Sequence, residues 1–80
     1  MDLRQHFGDN LRRQRDAAGL SQETLAWRAQ LDRTEISLLE TGKRMPMLDT
    51  IVALTSALEL ASPSELLDGV MAFAHTPPAP

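Results

Sequence analysis

Apolar residues recur along this chain at three- and four-residue intervals, the period of helices that bury one face. Leu3, Phe7 and Leu11 stand four apart, with Arg12, Arg13 and Arg15 on other faces, and predict a first helix over about residues 2–18. Gly19 stops it, since glycine takes the left-handed C-terminal position without steric cost. Ser21 has the hydroxyl to cap a second helix, whose buried face would be Leu25, Ala26 and Ala29. Asp32-Arg33-Thr34-Glu35 reads as a capping box with Asp32 as the cap, and Leu31 and Ile36 sit where a hydrophobic staple would hold the helix start. Ile36 and Leu39 form the inner face of this third helix, and Gly42 ends it. Pro46 forbids a helix running through the next loop. Ile51, Leu54 and Leu58 then predict a fourth helix from about Leu48 to Leu58.

Ser62-Pro63-Ser64-Glu65 combines a cap, a proline at the first helical position and a glutamate three on, and predicts a fifth helix running to about Ala74. Thr76-Pro77-Pro78-Ala79-Pro80 lacks apolar mass and amide donors and reads as a frayed, polyproline-like tail. No stretch reads as a strand. The expectation is an all-α, compact five-helix domain over residues 1–75 with a Pro-rich tail at 76–80. Residues 21–44 stand out: two short helices, a tight turn, a glycine stop and the cations Lys43 and Arg44. That is the layout of a helix-turn-helix offering its second helix to the DNA major groove.

A net charge of −3 argues against a polyanionic partner if taken alone. Its distribution reverses the reading. All eight cations precede residue 45, beside seven acids, whereas the remainder carries four acids and no cation. Local field governs approach to a polyanion. Hydrophobic content of 42% supports a folded domain, and an aromatic share of 4% makes its core aliphatic. With no cysteine there is no disulfide, thiolate metal site or cysteine nucleophile. His6 and His75 sit at opposite ends, without a nucleophile–base pattern or a shared helix face for a metal, and each reads as an exposed or fraying residue. No enzyme, cofactor or metal is expected. The start has no apolar core of signal-peptide length, and no apolar run approaches the ~20 residues of a membrane helix, so a soluble cytoplasmic protein without membrane contact is expected.

Leu11-Arg12-Arg13-Gln14-Arg15, Gly19-Leu20-Ser21-Gln22, Leu25-Ala26, Ile36-Ser37, Glu40-Thr41-Gly42-Lys43-Arg44 and Pro46 appear in an order and spacing that resemble the lambda-repressor-like, or Cro/C1-type (XRE), helix-turn-helix family. The likeness spans roughly residues 7–67. Leu31-Asp32-Arg33-Thr34-Glu35-Ile36-Ser37 also resembles the recognition segment of restriction-modification controller proteins, small dimeric members of that family. The resemblance implies base contacts from Arg33, Thr34 and Ser37, and phosphate contacts from Gln22, Arg12, Lys43 and Arg44. It implies a structural ion pair between Arg15 and Glu40. Ala26 would be the small residue that lets the two motif helices approach. Chemistry agrees: a guanidinium grips guanine O6 and N7 with two hydrogen bonds, and a threonine methyl packs on a thymine methyl. Read from the residues alone, Arg33, Lys43 and Arg44 also fit ordinary surface positions.

Three positions depart from the family pattern. Gln30 stands where glycine is frequent, so a left-handed conformation costing ~1 kcal/mol is expected there. Met47 replaces a common serine cap and leaves the fourth helix without one. Glu35 helps folding as a cap, but would repel a phosphate that it faced.

Trp27 reads as a core or partly exposed packing residue rather than a base-stacking one, since duplex bases offer no free face. The fifth helix carries more apolar surface than a four-helix core absorbs, and Leu66, Val70, Met71 and Phe73 are expected to form a dimer interface, with an extension of the chain's own core as the alternative. The partners expected are double-stranded DNA and a second copy of the chain, with RNA polymerase or a partner protein as the further contact left open. The function expected is a transcriptional regulator binding a roughly palindromic operator as a dimer. The rival reading is an antitoxin-like, partner-binding module on the same fold that binds DNA only for autoregulation.

Overall fold

A computed structural model describes residues 2–74. The predicted tail at 76–80 and His75 lie outside the described residues. Four α-helices follow one another: α1 (Leu3–Ala17), α2 (Gln22–Ala29), α3 (Arg33–Glu40) and α4 (Leu48–Ala57). Among the described residues there is no strand, and no helix is long and apolar enough to cross a membrane.

Local chemistry sets the helix ends. Asp2 and Gln5 form a reciprocal capping box at the start of α1, with both side chain to amide distances at 3.0 Å. The Gln5 amide holds the Asp2 carboxyl below its usual range. Ser21 caps α2 by accepting from the Thr24 amide at 3.0 Å. All four helices close alike, by a Schellman turn. Leu20, Leu31, Lys43 and Leu60 each donate an amide back across the last turn, to the carbonyls of Arg15, Ala26, Leu38 and Thr55. The residue before each donor is left-handed: Gly19, Gln30, Gly42 and Glu59.

α1 packs on α3, α3 on α2, and α2 on α4. Phe7, Leu11, Leu25, Ile36, Leu39, Leu54 and Leu66 fill the centre, with Ala26, Ala29, Ala57 and Leu58 around them. The aliphatic core expected from composition is thus built from the positions that the helical period selects. Gly8 sets how closely α1 approaches α3, because a Cβ there would lie 2.4 Å from the Leu39 carbonyl oxygen and 2.8 Å from that of Glu40.

The predicted fifth helix does not form. Residues 63–73 instead make two short 3₁₀ turns, Pro63–Glu65 and Val70–Phe73. Ser62 does cap the first of them, accepting from the Ser64 amide. Beyond it, α1 competes for the carbonyls that a helix would use. Asn10 Nδ2 donates to the Leu66 oxygen at 3.0 Å and to the Asp68 oxygen at 2.8 Å. His6 Nε2 also meets the Asp68 oxygen, at 2.6 Å. Gly69, left-handed at φ 80°, reverses the chain where a Cβ would collide with the His6 ring. His6 is therefore a half-buried clasp rather than the exposed helix residue expected.

Candidate nucleic-acid interface

The α2–α3 corner presents its polar face outward because the apolar residues of both helices are spent inward. Leu25, Ala26, Ala29, Ile36 and Leu39 are buried, which leaves the intervening positions at the surface. Gln22 in the first turn of α2 and Arg33, Thr34 and Ser37 on α3 line one shallow notch. Arg33 and Thr34 are exposed, while Gln22 and Ser37 are half-buried. Backbone conformation at the turn follows the expectation: Gln30 is left-handed at φ 58° and ψ 41°.

Beneath the notch lies a polar network. Arg15 donates from Nε to Glu40 Oε2 at 2.6 Å and from a terminal nitrogen to Oε1 at 3.0 Å. Its other terminal nitrogen reaches the Leu20 carbonyl at 2.7 Å. Side-chain exposure is 12% for Arg15 and 3% for Glu40, so the pair is nearly dry. Hydrogen bonding to Glu40 raises the Arg15 guanidinium above its ordinary range. Gln22 Nε2 donates to the same Glu40 Oε1 at 3.1 Å. An amide nitrogen carries two protons, so this bond fixes the Gln22 side chain and leaves a second N–H for another acceptor.

The remaining cations lie elsewhere. Arg12 is exposed on α1, sits 4.0 Å from Asp16 and is not among the residues that line the notch. Lys43 is exposed directly after Gly42. Arg44 is held by Glu35 in an ion pair. That pair displaces the expected capping box: Asp32 is the N-cap of α3, but its side chain makes no capping bond. Glu35 turns away from the helix start toward Arg44. Met47 starts α4 without a side-chain cap, as its thioether requires.

The apolar positions divide. Leu66 is 0% exposed and belongs to the monomer's own core, so it has no surface to give an interface. Val70 is half-buried in a small apolar cleft with Leu3, Phe7, Met45, Ile51 and Leu67. Met71 and Phe73 are exposed, and Phe73 lies against the His6 ring with centroids 5.3 Å apart. Leu48 and Val52 add exposed apolar surface on α4 that was not foreseen, although their four-residue spacing off the Ile51–Leu54–Leu58 stripe is visible in the chain. Trp27 is 80% exposed, neither core nor partly buried. Ala26 and Ala29 take the buried side of α2, which turns position 27 outward.

Comparison with known proteins places this geometry. The helix-turn-helix domain family model matches residues 6–68. An uncharacterised HTH-type transcriptional regulator, y4dJ of Sinorhizobium fredii, is 36% identical over 70 residues, covering 81% of this chain and 91% of that protein. Control protein C.BamHI of Bacillus amyloliquefaciens is 40% identical over 68 residues, covering 84% and 83%. Among solved structures, the restriction-modification controller protein C.AhdI from Aeromonas hydrophila superposes with a TM-score of 0.76 at 44% identity, over 79% of this chain and 94% of that one.

Proposed function

The chain belongs to the helix-turn-helix domain family, and on that premise we propose that it is a cytoplasmic transcriptional regulator that binds a roughly palindromic duplex operator as a dimer. The observation that carries this reading is the gathering of Gln22, Arg33, Thr34 and Ser37 in one open notch at the α2–α3 corner. In this reading α3 enters the major groove. Arg33 reads a guanine edge through O6 and N7, while Thr34 and Ser37 meet neighbouring bases. Gln22, steadied by Glu40, donates its second N–H to a phosphate. Lys43, Arg44 and Arg12 supply further phosphate contacts, which position without specifying.

Dimerisation would use the exposed apolar side chains of Met71, Phe73, Leu48 and Val52, with Val70 at their margin. Two-fold pairing would set the recognition helices about one DNA turn, ~34 Å, apart. The test is selection of sites from a random duplex pool with wild type and Arg33→Ala, beside ultracentrifugation at micromolar protein. A palindrome that loses one symmetric base preference in the variant is expected. Salt-sensitive binding without sequence enrichment, or a monomer both with and without DNA, would overturn it.

A further inference from the structure

Glu35 in the first turn of α3 and Arg44 in the α3–α4 loop lie nine positions apart and form an ion pair, Glu35 following directly on Arg33 and Thr34 of the proposed DNA face. Their exposures are unequal. The Arg44 side chain is 53% exposed and the Glu35 side chain 21%. The carboxylate is therefore the seated partner and the guanidinium the outer one. Its surroundings, including Asp32, Trp27 and Met47, form an open groove beside the start of α3. Lys43, one residue before Arg44, is the neighbouring exposed cation.

We propose that Glu35 is an intramolecular competitor of DNA phosphate for Arg44 and so weakens sequence-independent binding. This deepens the DNA-binding reading above and rests on it. A guanidinium already neutralised by a carboxylate gives up part of that interaction when it turns to a phosphate. A carboxylate left behind then faces a polyanion. Both effects subtract from affinity for any duplex, whatever its sequence, because phosphate contacts carry no sequence information. Base contacts from Arg33, Thr34 and Ser37 are untouched, so the penalty is common to every duplex: the ratio of specific to non-specific affinity stands, while sequence-independent binding falls in absolute strength.

The pair also has a distinct salt signature. Each phosphate neutralised by an unpaired cation adds about 0.9 to the slope of log affinity against log salt. Arg44 paired to Glu35 adds less than this. Removing the carboxylate restores the missing part.

The experiment is a four-protein cycle of wild type, Glu35→Gln, Arg44→Ala and the double variant. Each is titrated against a random-sequence duplex at several sodium chloride concentrations. Glu35→Gln is expected to tighten binding up to ~5-fold, the equivalent of a partly exposed ion pair released, and to steepen the salt slope by up to about 0.9. In the Arg44→Ala background the same change is expected to gain measurably less. An equal gain in both backgrounds would reduce Glu35 to a general negative charge and overturn the proposal. So would no gain while wild type binds. If none of the four proteins binds duplex DNA, the DNA-binding reading itself falls, and this inference with it.

Discussion

Arg15 grips Glu40 with two hydrogen bonds across 25 positions of sequence, tying α1 to the last residue of α3. Because the pair is nearly dry, removing one partner strands the other charge, which costs about 3–5 kcal/mol in a buried pair. Glu40→Gln is expected toward the lower end of that range, since Arg15 keeps the Leu20 carbonyl and has Asp16 at 3.4 Å. Arg15→Met with Glu40→Leu together should cost less than Glu40→Gln alone. Urea unfolding of Arg15→Met, Glu40→Leu and their double variant beside Glu40→Gln checks this, and additive losses from the two single changes would show that the residues act separately.

Gly8→Ala should be among the most damaging small substitutions in the chain. The added methyl meets backbone carbonyls of Leu39 and Glu40, which cannot rotate aside. Helices α1 and α3 must separate, and the loss should reach or exceed the ~1–3 kcal/mol of an overpacked core. Thermal melting monitored by helix signal measures it. A near-native midpoint would mean that the two helices separate without penalty.

Gln30→Gly should stabilise. Gln30 is held left-handed at the α2 C-terminus, where a side chain costs roughly 1–2 kcal/mol that glycine does not incur. Allowing for the greater freedom of glycine in the unfolded chain, a net gain of ~0.5–1 kcal/mol is expected, equivalent to several degrees in midpoint for a domain of this size. An unchanged or lower midpoint would mean that the glutamine side chain offsets its own strain.

Asn10→Ala removes the donor shared by the Leu66 and Asp68 carbonyls. The expected loss is ~1–3 kcal/mol, because the buried Leu66 carbonyl is left unpaired while the Asp68 carbonyl keeps His6. Amide exchange should quicken first in residues 63–73, which are tethered to α1 by this side chain and His6. Uniform acceleration throughout the chain would show that the segment opens only with the whole fold.

The four helices were legible because their boundaries rest on short-range chemistry. Ser21, Gly19 and Gly42 act on amides and carbonyls within one turn of themselves, and the expected ends agree with the structure to about one residue. The fifth helix was not legible for the opposite reason. Ser62 and Pro63 issue a valid local start, but Asn10 and His6, more than fifty positions away, take the carbonyls that would continue it. The notch shows the same division. Gln22, Arg33, Thr34 and Ser37 converge because helical spacing and a short turn leave little alternative. Glu35 looked like a capping residue, since nothing local distinguishes a cap from a carboxylate claimed by Arg44 across a loop. Position 27 departs from the core or partly exposed packing role expected, because Leu25 and the two alanines of α2 take the inner face.

Trp27 is the single tryptophan of the chain and stands in water beside Asp32, Glu35 and Arg44. Its indole therefore registers the surroundings of the start of α3 rather than the state of the core. Heating or urea should change its emission colour little, because the ring is solvated before and after unfolding. A ligand or a partner that covers the groove should shift it toward the blue and shield it from soluble quenchers. The protein thus carries an intrinsic optical label that is nearly blind to folding and responsive to occupancy of one face.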